Sequence, residues 1–264
     1  MKKILLIGTG GTIACTKGDT IHLDTPFKIL DYVRFENVEF ESASPFTVLS
    51  ENMSINLWKR LIEYLSGVVF SQYTGVIILH GSDTLAFTSS VIANAFPNEN
   101  IVFVAADKPV EDKESNGIRN FNNAVECLLS QNRGVCVSYN GIHRADAITS
   151  ANIKDEFCSL ESTLPPLNSK IIYDKNILIV NPYVEINFDN YNLENLDGVL
   201  INMFHSATVP DSAKEFSKKL RQRNIPCFFV THKQSADYET AQGINNIIFN
   251  CTIENAYARM LLIE

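Results

Sequence analysis

Two apolar runs in this chain each open into a short loop that carries a hydroxyl group. Ile4 to Ile7 leads into Gly8-Thr9-Gly10-Gly11-Thr12-Ile13-Ala14, and Val76 to Leu79 leads into His80-Gly81-Ser82-Asp83-Thr84. An α/β protein builds its sites just beyond the carboxyl ends of its strands, where backbone N–H groups are exposed. Thr12 and Ser82 at two such edges, facing one crevice, suit acyl transfer, in which a hydroxyl attacks a carbonyl and N–H groups hold the oxyanion. Asp83 adds a carboxylate able to grip a cationic group. The same residues have structural uses, because threonine and aspartate also cap turns and helices.

Phosphate chemistry fits the glycines less well. Gly8 and Gly10 match the first two positions of G-x-G-x-x-G, but Ile13 stands at the third, where a bulky side chain obstructs helix–strand packing. No Gly-Lys-Ser/Thr follows at P-loop spacing.

The elements that must position these loops alternate between short β-rich runs and segments of helical period, which predicts an α/β fold with a mainly parallel, wound sheet. Strands are expected at 4–8, 76–80, 101–105, 135–139, 177–180, 199–203 and 227–231. Leu57, Leu61, Ile62 and Leu65 form one helical stripe, and Ile118, Phe121, Val125, Leu128 and Leu129 form another. Asp211 is expected to cap a helix running towards Arg223, Thr252 to cap the last helix, and Asp83 can cap one over 84–94. The alternation pauses over 159–170, where Pro165-Pro166 removes two donors and blocks helix propagation. That places a larger N-terminal domain at 1–158, a linker at 159–170 and a smaller α/β domain at 171–264.

Composition narrows the class. The 264 residues are 45% hydrophobic and 20% charged, and no apolar run approaches the ~20 residues that span a bilayer. The apolar start is cut by Gly8 to Gly11 before a signal-peptide core can form, so a cytoplasmic protein with no membrane role is expected. A net charge of −8 with no Lys/Arg cluster argues against nucleic acid as a partner. Cys15, Cys127, Cys136, Cys158, Cys227 and Cys251 lie far apart without a C-x-x-C pair, and buried reduced thiols are expected. No pattern for a metal or cofactor is present, and none is expected.

Taken together, the motifs resemble the bacterial-type L-asparaginase family, whose strands end in T-G-G-T-I-A and H-G-T-D-T. Here these read Thr9-Gly10-Gly11-Thr12-Ile13-Ala14 and His80-Gly81-Ser82-Asp83-Thr84. The likeness continues through Ser50-Glu51-Asn52-Met53 with Trp58 after it, Leu85-Ala86-Phe87-Thr88-Ser89, Ser115-Asn116-Gly117-Ile118-Arg119-Asn120, and Asn250-Cys251-Thr252-Ile253-Glu254-Asn255-Ala256. The resemblance implies Thr12 as nucleophile, Ser82 as the second hydroxyl, Asp83 as partner of a substrate α-ammonium, and Ser50 and Glu51 as the loop that grips an amino-acid substrate. It further implies a homo-oligomer, dimer or tetramer, acting on a small amino-acid amide.

Besides Ser82, which stands where the family has its second threonine, the chain departs from that pattern in four places. Active members carry a lysine that relays protons to the second hydroxyl, and aligning Arg144 and Thr149 with that segment puts Ser150 at the lysine position. Serine has no titratable function near neutrality, and general-base help is typically worth ~10²–10⁴ in rate. Lys154, Lys108 and Lys113 are the candidate substitutes. The family's lid segment, between Cys15 and Asp31 here, is shortened and holds no tyrosine, only Thr16, Thr20 and Thr25, which predicts a more open crevice. Asn116 stands for the aspartate of the family's S-D-G segment, and Ala105-Ala106-Asp107 replaces its T-G-S-like strand end.

The leading expectation is an asparaginase-like amidohydrolase that converts L-asparagine, or a related small carboxamide, to L-aspartate and ammonia. The alternative is a non-catalytic amino-acid-binding homologue that lacks the lysine relay. A third family role, the amidotransferase subunit acting on tRNA-bound glutamate, carries an added N-terminal domain, whereas this chain starts at its first strand. Its acidic balance argues the same way.

Overall fold

Ile4, Leu5, Leu6 and Ile7 are at most 2% exposed, as a strand covered on both faces requires. They form the middle of β1 (Lys2–Gly8) in a computed structural model that describes residues 1–130, 134–161 and 163–264. The hairpin β2 (Cys15–Lys17) and β3 (Ile21–Leu23) follows as a separate two-stranded sheet. Next come β4 (Val38–Ala43), α1 (Ile55–Ser66), β5 (Gly75–Leu79), α2 (Leu85–Ala95), β6 (Asn100–Val104), α3 (Gly117–Leu129), β7 (Gly134–Ser138) and β8 (Ile142–Arg144).

The first sheet has the order β4-β1-β5-β6-β7-β8, parallel throughout except for the antiparallel β8. The chain steps from β1 outward to β4, then crosses to the other side of β1 for β5 and onward. That reversal makes the carboxyl ends of β1 and β5 a topological switch point, the place where open α/β sheets leave a crevice. The Thr12 and Ser82 loops leave these two ends.

Helices cover both faces of this sheet. Trp58, Leu61, Ile62 and Leu65 of α1 join Leu85, Val91 and Ile92 of α2 against Ile7, Ile78 and Phe103. Phe121, Ala124, Val125 and Leu128 of α3 cover the other face, over Ile4, Leu6, Ile77 and Val102. The indole Nε1 of Trp58 donates to Thr88 Oγ1 at 2.8 Å, which satisfies the one polar atom of that buried ring and ties α1 to α2.

A second, four-stranded parallel sheet has the order β12-β11-β10-β9, from β9 (Ile177–Val180), β10 (Gly198–Asn202), β11 (Cys227–Val230) and β12 (Ile247–Ile248). Its faces are covered by α4 (Asp211–Gln222), through Ala213, Phe216 and Leu220, and by α5 (Ile253–Leu262). α5 joins both parts of the molecule: Ala256 packs on Leu200 and Val230, while Ala258, Leu261 and Leu262 enter the core beside α2.

The seven strands expected from sequence are all present, shifted by a residue or two at their ends. The short strands β2, β3, β4, β8 and β12 escape a reading of the sequence, because exposed or three-residue strands leave little periodicity. Thr252 caps α5 as expected, its side chain accepting from Asn255 N. Asp211 does not cap α4: Pro210 holds that position without a side-chain bond, and Asp211 is the first helical residue. Nor does Asp83 cap α2, since Thr84 stands at that position and makes no side-chain cap. Four of the six thiols are buried, but Cys136 is only partly covered and Cys158 is exposed. No described helix is long and apolar enough to cross a membrane.

Candidate active site

Three loops meet at the carboxyl ends of β1 and β5. Thr9 ties the first two, because both its backbone N–H and its Oγ1 bond Leu79 O, at 3.0 and 2.7 Å. The segment before Ser50 docks on the other side, where Val48 N donates to Thr9 O at 3.0 Å and Gly11 N donates to Val48 O at 3.2 Å. Gly10 and Gly11 have φ of +108° and +81°, a region that side chains strongly disfavour.

The glycines also permit contact. A Cβ on Gly11 would lie 2.2 Å from both Cα and N of Gly81, and a Cβ on Gly81 would lie 2.4 Å from Ser50 Oγ. With only hydrogens at these positions, the Thr12 loop, the Ser82 loop and the Ser50 turn touch at one point. Thr12 and Ser82 are each the next residue along from this junction, and both are partly exposed.

The acidic side of the site is equally defined. Ser50, 3% exposed, opens a 3₁₀ turn (Ser50–Asn52), and its Oγ donates to Asp83 Oδ2 at 3.2 Å. Thr84 Oγ1 donates to Ser50 O at 2.9 Å and holds that turn against the start of α2. Asp83 and Glu51 are exposed, so two carboxylates border the junction with free oxygen capacity for a cationic group. The motif alone gives Thr84 no role, although its hydroxyl is one of the two that lock the Ser50 turn.

His80 is the other residue whose role the sequence leaves blank. It is fully buried, its Nδ1–H donates to Gly81 O at 2.7 Å, and its ring packs edge-on to Phe103 with centroids 6.0 Å apart. Burial drives its pKa from 6.5 down to about 4, against the opposing pull of the Gly81 carbonyl and the Asp83 charge. The imidazole is therefore neutral at pH 7 and orients the Gly81–Ser82 peptide.

Ser150, which the sequence is expected to place at the family's lysine position, is not idle. Its backbone N and its Oγ both donate to Glu254 Oε1 of α5, at 2.6 and 2.8 Å. Glu254 is 3% exposed, and its second oxygen has no hydrogen-bond partner among the described residues. The candidate substitutes are occupied elsewhere or face solvent: Lys108 Nζ binds Glu114 Oε2 at 2.5 Å, while Lys113 and Lys154 are exposed.

Asn116 builds the loop end after β6. It exchanges reciprocal bonds with Asp107, N to Oδ1 in each direction at 3.0 Å, and its Nδ2 donates to Asn140 Oδ1 at 3.2 Å. The last of these needs an amide, which an aspartate cannot supply. The segment expected to be a shortened lid folds after Thr12 as the β2–β3 hairpin. Among the described residues, no group of three or more His, Cys, Asp or Glu could hold a metal ion.

The profile of the family described as asparaginase, N-terminal, matches residues 3–169, more than half of the chain and all three loops of the junction. The chain belongs to the asparaginase family. It is 26% identical over 217 residues to a glutamyl-tRNA(Gln) amidotransferase subunit from Sulfolobus acidocaldarius, covering 75% of this chain and 47% of that protein. It is 26% identical over 144 residues to the L-asparaginase of Thermococcus kodakarensis, covering 52% and 44%. These matches thus span less than half the length of the curated relatives. The solved thermostable L-asparaginase from Thermococcus kodakarensis superposes with a TM-score of 0.78 at 17% identity, over 98% of this chain and 92% of that one. A likeness at that identity establishes the shared two-part α/β fold.

Proposed function

We propose that this protein is an amidohydrolase of small amino-acid amides, with L-asparagine or a related carboxamide as substrate and Thr12 as nucleophile. Thr12 Oγ1 attacks the side-chain carboxamide, ammonia leaves, and water releases the acid from the acyl-enzyme. Asp83 and Glu51 hold the substrate's α-ammonium, Ser50 positions Asp83, and Ser82 supplies the second hydroxyl of the cleft. The observation that carries this reading is the glycine junction, where a Cβ on Gly11 would sit 2.2 Å from Gly81 and the two hydroxyl residues follow directly.

The relatives support the amide chemistry but divide over the substrate, since one is an L-asparaginase and another a subunit of a glutamyl-tRNA(Gln) amidotransferase. The net charge of −8 favours a small zwitterion over a polyanion. A second reading, an amino-acid-binding homologue without turnover, is supported by Ser150, whose hydroxyl is committed to Glu254 at 2.8 Å.

Ammonia and aspartate release from L-asparagine, L-glutamine and short asparagine peptides, compared for wild type and Thr12→Ala, separates them. Turnover that falls at least ~10³-fold in Thr12→Ala is expected for a nucleophile. Turnover that survives the substitution removes Thr12 from that role. Calorimetric binding of aspartate or asparagine with no ammonia from wild type supports the second reading.

A further inference from the structure

Lys28, which no sequence motif singles out, is built into the surroundings of the Thr12 turn. It opens a 3₁₀ turn (Lys28–Asp31), and its side chain is 15% exposed. Its Nζ donates to Thr16 Oγ1 of β2 at 2.5 Å and to the Glu111 carboxylate, and it lies 3.9 Å from Asp24 Oδ2. The partners are themselves joined. Thr16 Oγ1 donates to Asp24 Oδ2 at 2.5 Å, and the other oxygen of Glu111 takes the backbone N–H of Lys17 at 2.7 Å. Glu111 thus holds the hairpin twice, once through its backbone and once through Lys28.

This cluster reaches the proposed nucleophile through very little chain. The turn Thr12–Ala14 runs directly into β2, and Asp24 N, just past the end of β3, donates to Ala14 O at 2.9 Å, so the exit of the hairpin grips the same turn. Cys15, between Thr12 and Thr16, is 1% exposed and its Sγ donates to Gly11 O at 3.3 Å. Its thiol is pushed up by burial first and then by the nearby charges of Glu51 and Asp24, with Lys28 opposing.

We infer that Lys28 is a positioning residue: bridging Thr16 and Glu111, it clamps the β2–β3 hairpin onto the loop after β6 and thereby sets the place of Thr12. The inference rests on the amidohydrolase reading for its catalytic consequence, but the clamp itself is a property of the fold. Partial burial works against the ammonium of Lys28, yet Glu111 and Asp24 outweigh it and hold the group above its ordinary range, so the clamp stays charged at neutral pH. Such a lysine is a fixed cation and not a proton relay, so it does not replace the family lysine as a base.

Hydrogen exchange measured on the full chain without substrate tests the clamp, and steady-state kinetics tests its link to Thr12. Lys28→Met is expected to raise exchange at the amides of 15–23 at least tenfold while those of β5 and β6 stay protected. Glu111→Gln, which keeps the shape and removes the charge, should do the same to a smaller degree. The double swap Lys28→Glu with Glu111→Lys should recover part of the protection, and Lys28→Arg most of it. On a substrate that wild type turns over, Lys28→Met should lower kcat about tenfold or more with less than a threefold change in KM, since the nucleophile moves and the Ser50–Asp83 side does not. Unchanged exchange over 15–23 in Lys28→Met overturns the clamp whether or not the protein is an amidase. A loosened hairpin with unchanged kcat overturns its link to Thr12. A wild type with no turnover removes the amidohydrolase reading and leaves the exchange result to decide the clamp.

Discussion

Gly11→Ala measures how closely the catalytic loops approach. Two separate penalties act at this position. Gly11 has φ +81° with ψ 178°, a combination essentially confined to glycine, and holding an L-residue there costs roughly 1–3 kcal/mol. The new methyl would also lie 2.2 Å from Cα and N of Gly81, backbone atoms held by Thr9 and His80, so the loops must part; overpacking of this kind costs about 1–3 kcal/mol. Gly243 is an internal control for a positive φ, at +79°, with no atom within 4 Å of a built Cβ. Gly243→Ala should therefore lose only about 1–2 kcal/mol, and Gly11→Ala about 2–6 kcal/mol. Urea unfolding of the two variants and wild type reads the difference: with an m-value of about 3 kcal/mol/M, an excess of 2 kcal/mol moves the midpoint by about 0.7 M. The loss of turnover in Gly11→Ala should also be much greater than in Gly243→Ala. Variants whose stabilities agree within about 0.5 kcal/mol would show that the Thr12 and Ser82 loops do not touch, and the shared-cleft chemistry would fall with them.

Other outcomes follow from single residues. His80 is neutral when folded and gains a proton more easily when unfolded, so stability should fall as pH drops from 6.5 towards 4; the gap corresponds to about 3 kcal/mol, and His80→Phe should flatten that part of a pH–stability curve measured by urea melts. Glu254→Ala removes two bonds to Ser150 and should cost about 2–4 kcal/mol by thermal or chemical melts, whereas Ser150→Ala removes one and should cost about 1 kcal/mol. Methionine at Lys108, Lys113 or Lys154 should leave turnover and stability unchanged, because the first is bound to Glu114 and the others face solvent; a tenfold loss of kcat in any of them would restore that lysine as a candidate for the relay.

Much of the architecture is legible from residue type alone. The core strands are runs of Ile, Val and Phe buried on both faces, and such runs carry a strong signal; the long helices show their inward stripe at Leu57, Leu61 and Leu65 or at Phe121, Val125 and Leu128. The hydroxyl and acidic residues can be named because short motifs at strand ends survive as sequence. Lone signals fail where a local rule has competitors. Asp211 precedes a helical stripe and so reads as a cap, yet Pro210, with its fixed φ and no N–H, takes the boundary and leaves Asp211 inside. Asp83 is open to the same reading, but it is drawn instead to Ser50, 33 positions away.

By itself, then, the chain's order of residues determined which segments become strands and helices and which side chains could do chemistry, because periodicity and motif are local properties. Tertiary structure alone decided which of them meet. The strand order β4-β1-β5 makes a switch point of the Thr12 and Ser82 loops, the missing side chains of Gly11 and Gly81 let them touch, Glu254 reaches 104 positions back to occupy Ser150, and Glu111 reaches the hairpin across 83 positions to meet Lys28. These contacts lie between residues remote in sequence, and the free energy that selects them comes from packing both faces of a sheet, which no local window of residues contains.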